Sequence, residues 1–473
     1  MPGSGTLARP RRHAASAPAR RSSGIALVLA GCLALAALSL LGPSAPTYDP
    51  WAWLNWGRQI SEGGLDTVAG PSWKPLPVAF TAAFSLVDQA AAPSLWLLVA
   101  RAGGLLGIAM SFRLADRLAG PAAGAIAAAS LILANGFVSS FARGNSEGLL
   151  VGLVLWAIES HLDGRRRSAF LLGAVAGLLR PEVWPFLAAY GVWLIHAERR
   201  EGGSGRQAVA LCAGAAVAFA LLWFVPEYIG SGSFFRAATR ARDAVPGSPG
   251  QADHPFFAVF GNSTSALIVP VYAGAVLAVV FAARAWRRGR GQGVELGLAA
   301  LTAAYMVIVG LLAEGGFTGN LRYVTLPAAV VCVLAGVGWV RLVSWARATP
   351  GRAPAALAAV AMLAAVPWTV EGVAELRRDL DRVRITAELS DDLPKLIDAA
   401  GGRRAVQRCG RVFTGPLEVQ LVAWHLHVAS RHIDFRPRPP GVVLAAEGVR
   451  VTDDPRFKPV AASAHWTMRS TCR

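Results

Sequence analysis

Long apolar runs constrain this chain more than any other feature of its sequence. A helix that crosses the hydrocarbon core of a bilayer needs about 20 consecutive, mostly apolar residues. Runs of roughly this length stand at 24–42, 94–114, 121–138, 146–162, 207–228, 264–283, 294–313, 323–343 and 355–370. Two shorter runs, 168–179 and 182–196, flank Arg180-Pro181 and predict a helical hairpin, because proline discourages helix at the preceding residue. The fold class is therefore an all-α polytopic membrane protein with about 11 transmembrane helices.

Composition agrees with this class. Only 16% of the 473 residues are charged and 54% are hydrophobic, whereas soluble proteins carry about 25% charged residues. These values exclude a disordered chain and an ordinary soluble enzyme. The net charge of +17 would suit a nucleic-acid binder only if it covered one surface. It is instead divided among the loops between apolar runs, so we expect no nucleic-acid partner.

The arginine-rich segments predict the orientation of the spans, because basic residues concentrate in cytoplasmic loops. The segments placed inside by this rule are 1–23, 163–167, 197–206, 284–292 and 344–354. Those left outside are the first outer loop 44–93, the hairpin tip near Arg180, the loop 229–262 and the turn 314–322. Run 24–42 is long enough to favour a retained span over a cleaved signal peptide. The chain is thus predicted to lie in the cell membrane as a multi-pass protein.

One apolar segment of the first outer loop does not fit this alternation as a span. Arg113 and Arg117 follow the run 94–114 and belong inside, which allows one span or three between the loop and these arginines. Only two apolar segments, 75–92 and 94–114, stand there, so one of them does not span. The segment 75–92 is short and is interrupted by Pro75 and Pro77. It therefore predicts a helix over 76–90 that lies in the membrane interface.

The chain is divided by composition into three parts. Residues 1–23 form a disordered, basic, cytoplasmic N-terminus, residues 24–372 form the transmembrane domain, and residues 373–473 are too polar to span. We expect the last part to be a small extracytoplasmic α/β domain, with a helix over 376–399 and strand-like segments at 442–446 and 459–468. Disulfides persist outside the cell, so Cys409 and Cys472 predict a bridge there; two buried free thiols are the alternative.

The stretch after the first run holds the largest group of chemically informative residues. It contains Asp49, which precedes a proline and suits a helix start, and the indoles Trp51, Trp53 and Trp73. A purely structural interpretation is an aromatic belt at the lipid–water boundary, with Asp49 as a helix cap.

Basic residues in short outer loops are exceptions to the positive-inside rule. Five such residues stand beside apolar helices, namely Arg58, Lys74, Arg143, Arg180 and Arg322. Taken singly, each could snorkel or cap a helix. Taken together at one membrane depth, they favour a site for an anion, because guanidinium groups bind phosphate bidentately.

These motifs resemble the GT-C superfamily of integral-membrane glycosyltransferases, which includes protein O-mannosyltransferases, aminoarabinose transferases and mycobacterial arabinosyl- and mannosyltransferases. In this superfamily an acidic residue follows the first span, as Asp49 does here. A proline motif opens the second interfacial helix of the first outer loop, where this chain has Trp73-Lys74-Pro75-Leu76-Pro77. A turn with a basic and an acidic residue follows the third span, as Arg143 to Glu147 does. The resemblance covers about residues 20–345.

The resemblance implies an enzyme that transfers a sugar from a polyprenyl-phosphate donor to an acceptor hydroxyl of a cell-envelope glycan, lipid or protein. It implies that Asp49 is the general base and that the five outer basic residues bind the donor phosphate. The residues assigned to acceptor binding or to orienting those cations are Asp66, Glu147, Glu182 and Asn320. The residues assigned to stacking on sugar or to the interface are Trp51, Trp53, Trp73 and Tyr323.

Two departures from the family pattern concern metal binding. Asp49 stands alone where relatives have an Asp-Glu pair, and Lys74 replaces the usual histidine. We therefore assign no metal ligands, and a divalent cation is the one cofactor left open. Two rival functions remain: a transporter or lipid flippase, and a non-catalytic membrane scaffold that presents the C-terminal domain.

Overall fold

The computed structural model describes residues 19–243, 246–289 and 293–472, and of residues 19–23 it describes only the helical backbone. The parts of the predicted segments 1–23, 229–262 and 284–292 that fall in the gaps lie outside the described residues. Within these ranges the chain is mostly helical. The α-helices are α1 Ala19–Ser39, α2 Tyr48–Ser61, α3 Pro75–Val87, α4 Ala92–Ala119, α5 Pro121–Ile132, α6 Phe137–Ala142, α7 Glu147–Leu162, α8 Arg166–Gly177, α9 Trp184–Arg200, α10 Arg206–Phe219, α11 Val225–Ser231, α12 Arg236–Ala241, α13 Pro255–Ser263, α14 Val269–Arg287, α15 Val294–Glu314, α16 Leu321–Ala348, α17 Arg352–Ala399, α18 Arg403–Arg408 and α19 Val419–Leu426.

Several of these helices are able to cross a bilayer. Among the described residues, six are long and apolar enough, namely Ala92–Ala119, Arg206–Ser231, Val269–Arg287, Val294–Glu314, Leu321–Ala348 and Arg352–Ala399. Shorter apolar helices occupy Gly24–Ser39, Pro75–Val87 and Pro121–Ile132. Each predicted apolar run is helical over most of its length, and these helices support a membrane location. The total of about 11 spans stays a prediction.

Two helix starts position side chains that matter below. Helix α3 begins at Pro75, and the preceding Lys74 is extended, with φ −136° and ψ 111°, as expected for a residue before proline. Helix α16 begins after Asn320, whose side chain accepts a hydrogen bond from the Arg322 backbone N–H at 3.2 Å. This cap fixes the first turn of α16 and with it the place of Arg322.

Close approach between glycine-bearing helices holds the centre of the bundle together. A Cβ on Gly148 of α7 would lie 2.7 Å from the Gly104 Cα of α4, and one on Gly338 of α16 would lie 1.8 Å from the Gly274 carbonyl of α14. Only glycine allows these backbones to come so near, as is common between membrane helices. The contact at Gly148 places the start of α7 directly against α4.

Helix α17 connects the bundle to the C-terminal part without a break. It runs for 48 residues, a length of about 72 Å at the usual helical rise. The predicted domain boundary at 372/373 falls inside this helix, and the predicted helix 376–399 is its second half.

The C-terminal part contains a five-stranded sheet of order β2-β1-β3-β5-β4. The strands are β1 Arg411–Phe413, β2 Ile433–Asp434, β3 Gly441–Ala446, β4 Lys458–Ala462 and β5 Trp466–Ser470. Strand β1 is parallel to β2 and β3, whereas β3 and β4 are antiparallel to β5. The predicted small α/β fold is thus observed. The strand-like segment 459–468 is divided by a turn at 463–465 into two strands.

Two features tie this C-terminal part down. A disulfide joins Cys409 and Cys472, as proposed from the sequence. Helix α19 packs on α2, where the Trp51 and Trp424 rings lie 5.6 Å apart. As a result, residues 50–58 are all buried, with the bundle on one side and the C-terminal part on the other.

Candidate active site

Acidic and basic side chains from five parts of the chain meet at one end of the helix bundle. The cluster consists of Asp49 in the first turn of α2, Lys74 before α3, Glu147 at the start of α7, Arg180 and Glu182 between α8 and α9, and Arg322 in the first turn of α16. We call this group the ionic cluster. It contains three carboxylates and three cations.

Glu147 is the centre of the ionic cluster. Its Oε1 atom accepts hydrogen bonds from Arg180 Nη2 at 2.7 Å and from Arg322 Nε at 3.0 Å. Lys74 Nζ lies 3.8 Å from the same oxygen. Only 1% of the Glu147 side chain is exposed, so its charge is compensated by these cations and not by water.

Asp49 lies nearer the surface than Glu147. Its Oδ2 atom accepts a hydrogen bond of 2.8 Å from Arg322 Nη2. The Asp49 side chain is 17% exposed and that of Arg322 is 37% exposed. Of the two carboxylates that contact Arg322, Asp49 is therefore the one that a molecule at the protein surface can reach.

Arg180 is held in the interior of the cluster. Its guanidinium carbon lies 4.7 Å from the centre of the Tyr323 ring, and Nη1 lies 3.5 Å from Glu182 Oε1. The distance to Glu182 makes that contact electrostatic more than a strong hydrogen bond. Arg180 thus joins the ionic cluster through its hydrogen bond to Glu147, and the Tyr323 ring covers one face of the Arg180 guanidinium group.

Lys74 is buried, and burial disfavours the charged ammonium form of its side chain. Nζ donates a hydrogen bond of 3.0 Å to Ser146 Oγ and lies 5.1 Å from the centre of the Trp53 ring. Burial, followed by the nearby Arg180 guanidinium, lowers the pKa of Lys74 to about 7. Its charge state is therefore sensitive to pH near neutrality and to any anion that comes close.

An apolar cavity of about 520 Å³ begins beside the ionic cluster. Val183, Tyr305 and Leu326 line it near the cluster, and His161 and Leu162 line it at the opposite end of α7. Helices α7, α8, α9, α15 and α16 form its walls. The cavity therefore follows the length of these helices, which suits an elongated apolar ligand.

Two of the residues predicted to serve the site contact the C-terminal part instead. Arg58 Nη1 donates to the Trp424 carbonyl at 2.9 Å, and its guanidinium lies 4.7 Å from the Trp424 ring centre. Asp66 pairs with Arg431, with 2.8 Å between Oδ2 and Nε. The structure does not bring Arg58 or Asp66 into the ionic cluster.

Two further predicted residues lie beside the ionic cluster without joining it. Arg143 donates through Nε to the Ser139 carbonyl at 3.1 Å and interacts electrostatically with Asp379 and Arg382 of α17. Asn320 caps α16, as described above. Its effect on the cluster is through the backbone of Arg322.

Of the four predicted stacking residues, the three tryptophans are buried and Tyr323 is partly buried. Trp53 is fully enclosed, with Trp96 edge-on against it. Trp73 packs against Trp56 at 5.5 Å, and Trp51 packs under the C-terminal part. None of the three indoles offers an open face for a sugar in this conformation.

Sequence reasoning missed two polar neighbours of the cluster, Ser146 and Ser140, whose Oγ lies 3.5 Å from Glu147 Oε2. It left open whether a divalent cation binds. Ser146 binds Lys74, and no sequence signal distinguishes it from other serines at helix starts. Within the described ranges, no three His, Cys, Asp or Glu side chains come together as metal ligands. Asp49 Oδ2 and Glu147 Oε1 accept hydrogen bonds from guanidinium groups.

The whole chain is similar in fold to solved structures of ArnT from Cupriavidus metallidurans. The apo structure matches with a TM-score of 0.57 and 14% identity, over 96% of this chain and 98% of ArnT. The structure with bound undecaprenyl phosphate matches with a TM-score of 0.55 and 14% identity, over 95% of this chain and 98% of ArnT. ArnT belongs to the GT-C superfamily. The chain therefore has the GT-C fold that its motifs predict.

A weaker similarity links the chain to the oligosaccharyltransferase AglB from Archaeoglobus fulgidus, solved with an inhibitory peptide and a dolichol-phosphate. The TM-score is 0.48 with 12% identity, over 88% of this chain and 69% of AglB. No protein-family model and no curated protein sequence matches this chain.

Proposed function

We propose that this protein is a membrane glycosyltransferase that moves a hexosyl or pentosyl group from a polyprenyl-phosphate donor to an acceptor hydroxyl. The acceptor is a cell-envelope glycan, lipid or protein. The observation that carries the proposal is that the ionic cluster adjoins an apolar cavity, which is lined by Val183 and by Tyr305, a neighbour of Glu182 and Arg180. A lipid-linked sugar phosphate has the same two parts, an anionic head and a long apolar chain.

The geometry suits binding of the donor in one orientation. The apolar chain occupies the cavity between α7, α8, α9, α15 and α16, and the phosphate meets Lys74, Arg180 and Arg322. Two guanidinium groups and one ammonium are strong partners for phosphate oxygens. The resemblance in fold to ArnT, which was solved with undecaprenyl phosphate, adds support for a carrier of this class.

The proposed reaction is a displacement at the anomeric carbon of the donor sugar. The acceptor hydroxyl gives its proton to the Asp49 carboxylate as its oxygen forms a bond to the anomeric carbon. The bond between that carbon and the phosphate oxygen breaks, and its electron pair leaves with the phosphate. Arg322, Arg180 and Lys74 stabilise the negative charge that gathers on the leaving group.

The remaining carboxylates serve to orient these cations. Glu147 holds Arg180, Arg322 and Lys74 together through one oxygen, which fixes the spacing of the donors that face the phosphate. Glu182 Oε1 lies 3.5 Å from Arg180 Nη1 and helps to orient that guanidinium group. A preorganised arrangement of this kind costs no rearrangement of dipoles during the reaction.

The distribution of arginines supports placing the ionic cluster on the extracytoplasmic side. Arg113 and Arg117 near the end of α4, the arginines at 165–167, those at 199–200 and Arg341 near the end of α16 stand at the opposite helix ends from the cluster. Basic residues concentrate on the cytoplasmic side. We therefore propose transfer at the outer face, with the C-terminal part outside.

The test is an in vitro transfer assay in membranes or detergent. Radiolabelled polyprenyl-phosphate sugars are offered with membrane acceptors to the wild type, to Asp49→Asn and to the control Asp88→Asn. Asp88 is exposed at the end of α3 and accepts from the Ala90 N–H, which asparagine can also do. We expect transfer by the wild type and the control, and none by Asp49→Asn at an unchanged thermal unfolding midpoint.

Retained transfer by Asp49→Asn would remove Asp49 from the role of base. If the wild type transfers no sugar from any donor but moves polyprenyl phosphate between the leaflets of vesicles, the protein is a flippase and the proposal is wrong.

A further inference from the structure

Two carboxylates of the ionic cluster, Glu147 and Asp49, differ in the number of cations that contact them. Glu147 has two guanidinium groups and an ammonium around one buried oxygen. Asp49 has one hydrogen-bond partner among the described residues, Arg322 Nη2. The general base of the proposed reaction is therefore bound to one of the cations that are meant to receive the donor phosphate.

The three nitrogens of the Arg322 guanidinium have different sets of partners. Nε donates to Glu147 at 3.0 Å. Nη2 donates to Asp49 at 2.8 Å and lies 2.9 Å from Glu147 Oε1. Nη1 donates to no acceptor in the described part of the chain, and the side chain is 37% exposed. Arg322 is the most exposed cation of the cluster, since the Lys74 and Arg180 side chains are 10% and 7% exposed.

A phosphate that binds Arg322 bidentately needs two neighbouring N–H groups that point the same way. Since Nε donates to Glu147, the neighbouring pair left for a phosphate is Nη1 and Nη2, and Nη2 is occupied by Asp49. Two anions on one N–H group would also repel each other. Nε can stay on Glu147 throughout, so the guanidinium keeps its place while one partner is exchanged for another.

We propose that the donor phosphate displaces Asp49 from Arg322, so that the catalytic base is released only when the donor is bound. This inference rests on the proposed function. While Asp49 Oδ2 accepts the hydrogen bond from Arg322 Nη2, this oxygen is engaged by the guanidinium and not by an acceptor hydroxyl. The exchange therefore keeps Asp49 inactive without donor and sets the order of events: donor first, proton transfer second.

The proposal makes an unusual prediction about affinity. Asp49→Asn, which we expect to abolish transfer, should bind the carrier lipid more tightly, because phosphate no longer competes with a carboxylate for Arg322. The expected gain is about fivefold, which corresponds to the strength of a half-exposed ion pair. In an Arg322→Ala background the same substitution should change the affinity by less than about twofold, since the competition is gone.

The experiment measures the Kd of undecaprenyl phosphate for the purified full chain in detergent micelles by isothermal calorimetry. The proteins compared are the wild type, Asp49→Asn, Asp49→Ala, Arg322→Ala, the double variant Asp49→Asn/Arg322→Ala and the control Asp88→Asn. Asp49→Ala is a second way to remove the charge if asparagine disturbs folding, and thermal midpoints verify that each variant is folded. Tighter binding by either Asp49 variant, lost in the double variant, supports the exchange.

Unchanged or weaker binding by both folded Asp49 variants would overturn the inference, and so would an equal gain with and without Arg322. In those cases a wild type that binds the lipid and transfers sugar still leaves the proposed function standing. A wild type that binds no undecaprenyl phosphate would instead refute the phosphate site itself, and the exchange with it.

Discussion

The charge of Lys74 gives the cluster a dependence on pH that can be calculated. Nζ is buried, donates to Ser146 Oγ at 3.0 Å and lies 3.8 Å from Glu147 Oε1. The pKa of Lys74 is lowered to about 7 by burial and by Arg180. A bound phosphate beside Nζ favours the ammonium form and raises this pKa again. Donor binding above pH 7 is therefore coupled to uptake of one proton.

The size of the effect follows from the fraction of Lys74 that is already protonated. With a pKa of about 7 in the free protein, the apparent affinity for the donor should fall about fivefold from pH 7 to 8 and about ninefold from pH 8 to 9. The phosphate of undecaprenyl phosphate, the ligand used in the measurement, changes its charge little from pH 7 to 9, because the second pKa of a phosphate monoester is about 6. The free energy of unfolding should rise over the same range, since only unfolded Lys74 keeps its proton there.

The measurement is the Kd of undecaprenyl phosphate at pH 6.5, 7, 8 and 9, for the wild type and for Lys74→Arg and Lys74→Gln. Arginine stays charged throughout, so Lys74→Arg should bind with a flat pH profile. Lys74→Gln should bind weakly and also with a flat profile. A flat profile in the wild type, or the same slope in Lys74→Arg, would refute the assignment of this titration to Lys74.

Three further variants test other parts of the structure. Glu147→Gln leaves buried cations without their carboxylate and should destabilise the protein by about 3–5 kcal/mol; adding Lys74→Met should return part of the loss in thermal denaturation. Cys409→Ser with Cys472→Ser opens a loop with a sequence separation of 63 and should cost the C-terminal part about 4 kcal/mol, measured by urea unfolding. Arg58→Ala should leave the Kd of undecaprenyl phosphate within about twofold, and a tenfold loss would return Arg58 to the phosphate site.

Much of the ionic cluster could be predicted from the sequence. The order of the apolar runs places Asp49, Glu147, Arg180 and Arg322 on the same predicted side of the membrane. Helix ends on one side of a bundle lie close together. The proline after Lys74 likewise indicates that α3 begins there. These predictions depend only on the lengths of the apolar runs and on the alternating direction of the spans. Both can be inferred from short segments of the sequence.

The side of a helix on which a residue lies is harder to predict. Arg58 stands nine positions after Asp49 on α2, which is about two and a half turns, so it lies on the opposite face. It therefore meets Trp424 and not the cluster. Trp53 stands about one turn after Asp49 and faces Lys74 as a result. The docking of α19 on α2 joins segments more than 350 residues apart, and neither segment contains a local signal for the other.

The burial of α2 on both sides has a consequence for how the protein is made. The second side of α2 is covered by α19, which begins at Val419, about 360 residues after the end of the buried stretch. At ordinary rates of synthesis, those residues take roughly 20 to 70 s to be added. During that time one side of a tryptophan-rich helix stays uncovered on the nascent chain, and it is covered only after α19 has emerged. Biogenesis of this protein therefore contains a waiting period that calls for a chaperone or for shelter at the membrane surface.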